Sequence, residues 1–291
     1  MKRLHLLLLV LIVIGQSINA QSKKAYQLYT GDGVPVEYSE MFKILEKSDL
    51  VFFGELHNNA IAHWLQIELT RDLYEVKKEN LVLAAEMFES DNQLILDEYL
   101  TGLITKGRYE AECRLWPNYK NDYEPLVEFA KEYSLKFVAS NVPRRYASLV
   151  SKKGFEGLNS VSAIGLSFLP PLPIEYDPEV PCYKGMLSMG GGGMPAHVTA
   201  NLPKAQALKD ATMAFFTIKE FATGRLVLHF NGSYHSMNHE GIIWYINNMV
   251  PGLDIQVIHT VSQKDVYQLE EDNKNTGDFI LVVDEDMTTT Y

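Results

Sequence analysis

Two segments of the chain share one pattern, and together they decide the fold. The first is Leu50-Val51-Phe52-Phe53-Gly54-Glu55-Leu56-His57, and the second is Leu226-Val227-Leu228-His229-Phe230-Asn231-Gly232-Ser233-Tyr234-His235. In each segment an apolar run typical of a buried strand leads into a Gly-x-x-His turn, and a stretch with helical periodicity follows. In open α/β sheets, ligands bind at the carboxyl ends of the strands. The pattern therefore predicts one site built from two distant parts of the sequence.

The rest of the chain alternates between strand-like and helix-like segments. Apolar runs at 80–85, 136–140, 254–260 and 279–284 predict further strands. The apolar stripe Ile61, Leu65, Leu69, Leu73 and Val76 predicts a helix between the strand at 50–53 and the strand at 80–85. This alternation predicts a single α/β domain at 21–291 with a mainly parallel central sheet flanked by helices. Residues 151–203 carry many prolines and the run Gly190–Gly193, so they are expected to form an irregular inserted helical or loop lid before a helix at 205–222.

The first twenty residues have the features of a secretory signal peptide. Lys2 and Arg3 precede a short apolar run from Leu6 to Ile14, and Ala20 provides a small residue for cleavage. We therefore expect export to the periplasm or cell surface. The alternative is an uncleaved membrane anchor, although the run is short for a bilayer span.

The overall composition limits the classes of binding partner that we expect for this protein. The formal net charge of −11 disfavours nucleic acid and anionic membranes as binding partners. The chain has two cysteines, Cys113 and Cys182, which could form one disulfide in an exported protein. The three tryptophans, Trp64, Trp116 and Trp244, are interpreted as core residues.

Polar residues cluster at the predicted strand ends. They are Glu55, His57, Glu86, Asn141, Arg144 and His235. His57, Glu86 and His235 could hold a divalent cation such as zinc, manganese or iron, with Glu55 as a spare carboxylate for general-base chemistry. Arg144 could bind a carboxylate or phosphate through both ends of its guanidinium group. The alternative is a set of structural ion pairs at the sheet edge.

A second group of residues lies in and after the inserted segment. Met186, Met189, Met194 and His197 surround the glycine run, and Met213 and Phe215-Phe216 follow on the predicted helix. Such residues could line a flat apolar ligand such as haem, whose iron accepts Tyr, His or Met as ligands. From the sequence alone, the favoured interpretation of these residues is a methionine-rich hydrophobic lid packed on the core.

Taken in order, the motifs resemble those of the ChaN-like haem-binding uptake proteins, part of the wider Tiki and erythromycin-esterase-like superfamily. The motifs are Phe-Phe-Gly-Glu-Leu-His-Asn-Asn at 52–59, Ala-Ala-Glu-Met-Phe-Glu at 84–89, Asp-Asn-Gln-Leu-Ile-Leu-Asp-Glu-Tyr-Leu at 91–100, Trp116 with Tyr123-Glu124-Pro125-Leu126, Ser-Asn-Val-Pro-Arg-Arg at 140–145, Gln206 with Lys209-Asp210 and Met213-Ala214, and Asn-Gly-Ser-Tyr-His at 231–235.

The resemblance implies an exported haem-binding protein of iron acquisition, in which haem can lie between two subunits with a tyrosinate ligand. It also implies a homodimer and contact with outer-membrane haem or iron uptake components as partners. Tyr234, Met213 and His197 are the candidate haem-binding residues, with Tyr234 chosen by its position in the second His turn. No lipobox cysteine is present near the signal peptide, so the sequence does not support a lipid anchor.

Two other functions stay open from the sequence. Superfamily relatives use the His-containing turns and the strand-end glutamate for metal-dependent hydrolysis, which makes a peptide or ester hydrolase the main alternative. In that case His57, Glu86 and His235 would bind the metal, and Glu55 and Arg144 would have catalytic roles. A binding protein whose strand-end residues are merely structural is the third interpretation.

Overall fold

The computed structural model describes residues 23–189 and 196–291. Within these residues, seven strands form one sheet: β1 (Tyr26–Thr30), β2 (Leu50–Glu55), β3 (Leu81–Glu89), β4 (Phe137–Asn141), β5 (Leu226–Gly232), β6 (Ile255–Gln263) and β7 (Phe279–Asp284). The described helices are α1 (Tyr38–Leu45), α2 (Ala60–Lys77), α3 (Gln93–Leu100), α4 (Lys106–Glu112), α5 (Tyr119–Asp122), α6 (Glu124–Glu132), α7 (Arg144–Lys153), α8 (Ala163–Leu166), α9 (Pro181–Met189), α10 (Ala196–Ile218) and α11 (Ile242–Met249).

The strand order brings the two Gly-x-x-His segments side by side. The order across the sheet is β1-β7-β6-β2-β5-β3-β4, and among these described strands only the β1–β7 pair is antiparallel. In the parallel pairing of β2 with β5, Phe53 lies opposite Phe230 and Glu55 lies opposite Gly232. The turns that follow β2 and β5 therefore leave the sheet at the same height and on the same edge.

Helices cover both faces of the sheet, as the apolar composition of the strands requires. Side chains alternate between faces along each strand, so Val51 and Phe53 pack with α2 to α6 whereas Leu50 and Phe52 pack with α9 to α11. The sequence prediction of a mainly parallel α/β sheet flanked by helices is confirmed.

Three elements differ from the sequence predictions. The 21–40 segment, which shows no clear strand pattern, contains the edge strand β1. Strand β3 continues past Ala85 to Glu89, so Glu86 lies inside the strand rather than after it. Helix α10 begins at Ala196 and includes Pro203, whereas the prolines of this region predicted irregular structure up to 203. Loss of one backbone donor at Pro203 does not end the helix, because the packing of its later turns stabilises it.

Other predictions fall outside these residues or concern single side chains. The signal peptide at 1–20 and the glycine run lie outside the described residues. No helix in the described part of the chain is long and apolar enough to cross a membrane. Cys113 and Cys182 are both free and buried, and they belong to apolar clusters on opposite faces of the sheet, so they are not paired.

Candidate functional site

The candidate site is a cavity of about 490 Å³ at the carboxyl edge of the four neighbouring strands β2, β5, β3 and β4. Each of these strands delivers polar side chains to it. The residues that line the cavity are His57, Glu86, Glu89, Leu115, Trp116, Pro117, Asn141, Val142, Arg144, Ala147, Lys209 and His235. All but one of the six strand-end residues singled out in the sequence are in this list, and the sixth, Glu55, lies directly behind His57.

Glycine is needed in both His turns because neighbouring atoms occupy the space of a side chain. A Cβ atom on Gly232 would lie 2.6 Å from Nε2 of His57, well inside van der Waals contact. A Cβ atom on Gly54 would lie 3.0 Å from the Cα of Ser233. The two turns therefore pack against each other, and this close approach places His57 beside the end of β5.

His57 is held by a buried carboxylate. Its Nδ1 atom lies 2.9 Å from Glu55 Oε1, and Glu55 also accepts hydrogen bonds from the Tyr123 hydroxyl (2.6 Å) and from Gln66. Burial opposes protonation of His57, but the hydrogen bond to Glu55 and the charge of Glu86 outweigh it, so the pKa of His57 is raised. Within the described residues no hydrogen bond reaches Nε2, and Trp116 packs edge-on against the imidazole with 5.0 Å between ring centroids. The ring is therefore fixed in orientation, with one nitrogen available.

His235 lies between two carboxylates. Its Nε2 atom is 3.2 Å from Glu86 Oε1, and its Nδ1 atom contacts Asp210 on α10. Burial alone would lower the pKa of His235, but the charges of Glu86 and Asp210 raise it to about 9. Conversely, burial alone would raise the pKa of Glu86, yet the charges of His235 and His57 hold it well below its usual range. At neutral pH His235 is therefore an imidazolium ion, and both of its nitrogens are donors.

An ion-pair network, in which buried Glu89 meets solvent-exposed arginines, contributes Glu89 and Arg144 to the cavity lining. Glu89, at the end of β3, accepts a hydrogen bond from the backbone N–H of Arg144 at 3.1 Å and contacts Nε of the same residue. Glu89 also pairs with Arg114 at 3.0 Å, and Asp91 pairs with Arg114 and Arg145. Because Glu89 caps the first turn of α7, it fixes Arg144 at the mouth of the cavity.

The predicted haem residues lie elsewhere. The Tyr234 hydroxyl donates to the backbone carbonyl of Cys182, and burial with the nearby Cys182 thiol raises the pKa of Tyr234 to about 12. Met213 is fully buried in the apolar cluster between the sheet and α11. His197 belongs to the first turn of α10, and its side chain is outside what the structure describes. Phe215 lines a separate apolar cavity of about 360 Å³ together with Ile174 and Met249.

The strand-end residues do not form a metal cluster. Within the described residues, no group of three or more His, Cys, Asp or Glu side chains is arranged to hold a metal ion. Both nitrogens of His235 donate protons towards Glu86 and Asp210. His235 therefore has no lone pair to offer a metal ion, and His57, Glu86 and His235 lie close together without forming a set of three metal ligands.

Several residues of the site are absent from the strand-end set. Asp210, Lys209 and Gln206 reach it from α10, where Gln206 contacts the His235 ring at 3.0 Å. In the sequence these three residues form a polar i, i+3, i+4 group, which places them on one side of the helix. Trp116, interpreted as a core residue, lines the cavity instead, and Trp64 is 46% exposed.

Comparisons with known proteins agree with this architecture. A family model described as haem-binding uptake, Tiki superfamily, ChaN matches residues 41–246. The structure of ChaN of Campylobacter jejuni, described as binding haem cofacially, is 20% identical, has a TM-score of 0.67, and the match covers 89% of this chain and 97% of that chain. A weaker match is the type III effector HopBA1, with 12% identity, a TM-score of 0.48, and coverage of 85% of this chain and 92% of that chain. Another is a Bacillus cereus protein, with 10% identity, a TM-score of 0.49, and coverage of 84% of this chain and 90% of that chain. No curated protein sequence matches the chain.

Proposed function

Because this chain belongs to the family of haem-binding uptake proteins, Tiki superfamily, ChaN, we propose that it binds haem after export and serves haem or iron acquisition. The observation that carries the proposal is the extent of the family match. Residues 41–246 contain every residue that lines the sheet-edge cavity. The periplasm or cell surface is the proposed location, a homodimer is the proposed assembly, and outer-membrane uptake components are the proposed partners.

The donor set of the sheet-edge cavity fits a haem group. Histidine is a common axial ligand of haem iron, and the Nε2 atom of His57 carries no hydrogen bond among the described residues while Glu55 holds the other nitrogen. Such a carboxylate–histidine pair fixes the tautomer and raises the basicity of a ligating imidazole. Trp116 and the apolar neighbours Leu115 and Val142 provide a wall for a flat macrocycle, and Arg144 and Lys209 provide cations for its propionates.

This fit adds His57 to the candidate iron ligands. Tyr234 would have to give up its bond to the Cys182 carbonyl and lose a proton whose pKa is about 12. Met213 would have to leave the core. When bound, the haem group would supply the iron as cargo, and the chain would contribute orientation, charge pairing and exclusion of water.

A hemin titration of the purified protein followed by visible absorption tests the proposal. We expect saturable binding with a shifted Soret band. The His57→Ala variant should weaken binding and change the spectrum, whereas Met249→Leu, at the separate apolar cavity, should match the wild type. Failure of the wild-type protein to bind hemin at a defined stoichiometry would contradict the proposal.

A second candidate function is hydrolysis of a peptide or ester bond. It is favoured by the Glu55–His57 pair, which has the geometry of an oriented general base with a free Nε2 facing a cavity. In this proposal His57 would take a proton from water, the imidazolium of His235 would supply positive charge, and Arg144 would bind the substrate. A divalent metal at His57, Glu86 and His235 belongs to the same alternative and requires His235 to lose a proton.

The hydrolase alternative is tested by turnover of a panel of chromogenic esters and peptides, with and without added manganese or zinc. Activity that is lost in His57→Gln and retained in the distant variant His239→Gln would support it. Metal content measured on the same samples separates the metal-dependent mechanism from the metal-free mechanism.

A further inference from the structure

The cavity has more hydrogen-bond donors than acceptors to satisfy them. In the described part of the chain, Lys209 lines the cavity and forms no hydrogen bond or salt bridge, although its charge contributes to the lowered pKa of Glu86. Asn141 uses its Oδ1 atom to accept from the N–H of Val142 at 2.8 Å, and no residue that the structure describes accepts a hydrogen bond from its Nδ2 amide. The Nε atom of Arg144 donates to Glu89, which leaves the two terminal nitrogens of its guanidinium group to bind a ligand.

The acidic residues of the cavity already have hydrogen-bond and ion-pair partners. Glu86 accepts from the N–H of Gly232 at 2.8 Å and pairs with His235. Glu89 is paired with Arg114 and Arg144. Among the described lining residues, no carboxylate forms a salt bridge with Lys209, whose charge acts on Glu86 from beyond salt-bridge distance. In a protein with a net charge of −11, a concave surface with unpaired cationic and amide donors is a marked local exception.

The remaining wall of the cavity is apolar. Leu115, Trp116, Pro117, Val142 and Ala147 contribute to the lining. A cavity of about 490 Å³ is within the range of small-molecule sites, which typically combine apolar walls with a few placed polar groups. The shape and chemistry match a ligand with one anionic head and an apolar body.

We propose that the sheet-edge cavity contains an oxyanion subsite, formed by Arg144, Lys209 and Asn141, that binds the carboxylate or phosphate group of a small organic acid. Arg144 presents two parallel N–H donors to the oxyanion. Lys209 supplies a point charge and Asn141 a neutral donor. The subsite does not require haem, since the donors and the apolar wall are properties of this chain alone. Haem propionates would be one occupant of the same chemistry.

Binding of two probes, sodium phosphate and sodium hexanoate, tests the subsite on haem-free protein at constant ionic strength. Quenching of Trp116 fluorescence reports occupancy of the cavity, and a Trp116→Phe variant identifies that signal. Lys209→Gln removes the unpaired cation, and Lys204→Gln on the same helix, outside the cavity, is the matched control. Asn141→Asp keeps the Oδ1 acceptor for Val142 and replaces the amide donor with a like charge.

We expect saturable binding of at least one probe by the wild-type protein. Lys209→Gln should weaken it roughly tenfold or more, because hydrogen bonds to charged groups are strong. Asn141→Asp should abolish binding, and Lys204→Gln should leave it unchanged. Binding of phosphate alone identifies a phosphate-bearing ligand, and binding of hexanoate alone identifies a carboxylate with an apolar body.

Two results would overturn the proposal. One is the absence of saturable binding of both probes. The other is equal affinity of Lys209→Gln and Lys204→Gln. Neither result bears on the hemin titration, which is a separate measurement, so failure of the oxyanion subsite and failure of haem binding are distinguishable. Hemin esterified at both propionates extends the test, since it should bind more weakly than hemin if haem uses the subsite.

Discussion

His57 and His235 occupy equivalent positions in the two Gly-x-x-His turns, yet they carry opposite hydrogen-bonding patterns. His57 has one nitrogen on Glu55 and one that no described residue contacts by a hydrogen bond, whereas both nitrogens of His235 face carboxylates. The first arrangement leaves a lone pair or a proton available to a ligand. The second arrangement keeps the imidazole of His235 protonated at neutral pH. The two turns therefore serve different roles in one cavity.

The charge on His235 predicts a specific dependence of stability on pH. Its folded-state pKa, about 9, is above the unfolded value near 6.5, so its stabilisation is complete below pH 6.5 and is lost as the pH rises through about 9. We expect the free energy of unfolding of the wild-type protein to fall by up to about 3 kcal/mol over this interval.

Urea denaturation at successive pH values measures this effect. The His235→Gln variant, although less stable overall, should show a shallower slope between pH 6.5 and 9, because it lacks the titrating group. Identical slopes for the two proteins would contradict the assignment of His235 as an imidazolium ion.

The carboxylate of Glu55 controls the protonation of His57. Burial lowers the pKa of His57, and the hydrogen bond to Glu55 is the largest effect that raises it. Replacing Glu55 with Gln should therefore lower the pKa of His57 while preserving the shape of the side chain. Titration of the imidazole carbons by NMR measures this shift, and the surface variant Glu68→Gln should show none.

The tight contact at Gly232 predicts a steric cost. Its backbone, at φ −57° and ψ 137°, is accessible to alanine, so the penalty of Gly232→Ala comes from the close approach of the new Cβ to the His57 ring, at 2.6 Å from Nε2 and 2.8 Å from Cε1. We expect a loss of about 1–3 kcal/mol of stability and displacement of His57 from the cavity wall. Gly107→Ala is the control, since no atom lies within 4 Å of that Cβ and alanine favours the helix α4. A Gly232→Ala protein as stable as wild type would show that the turns are not packed this closely.

The hydroxyl of Tyr234 is expected to contribute to stability and not to iron ligation. Removing it in Tyr234→Phe leaves the carbonyl of Cys182 without that donor, at a cost of about 1 kcal/mol. The Soret maximum of a haem complex should be unchanged in this variant. A shift of the band in Tyr234→Phe, with none in His57→Ala, would reverse the assignment and favour a tyrosinate ligand.

Much of the fold follows from local sequence patterns. The apolar runs that form β2, β3, β4 and β5 are strand-like in isolation, and the spacing of Leu65, Leu69 and Leu73 predicts the buried face of α2. Strand β1 is different. Its sequence Tyr-Gln-Leu-Tyr-Thr is short and partly polar, and its strand character depends on pairing with β7 at the far end of the chain. No local sequence pattern indicates that pairing.

Part of the candidate site could likewise be predicted from local sequence patterns. His57, Asn141 and His235 lie at or just after strand ends that a parallel sheet must bring together, whereas Glu86 lies inside β3 near its carboxyl end. Asp210 and Lys209 belong to a family motif and to a polar group on one side of α10, but neither pattern places them beside the strand ends, because the rotation of the helix about its axis is fixed only by packing on the sheet. The role of His235 likewise depends on two carboxylates from different elements, and neither is near it in sequence.

The position of β5 between β2 and β3 has a consequence for how the protein is made. During synthesis β2 and β3 emerge well before β5, yet each pairs with β5 and they do not pair with each other. Until residue 232 has been added, β2 has neither of its native neighbours, β5 and β6, and β3 has only β4. Such exposed strand edges promote aggregation. We therefore expect a chain ending before β5 to be insoluble and folding to be largely post-translational, so that the nascent chain depends on chaperone binding until its second His turn is complete.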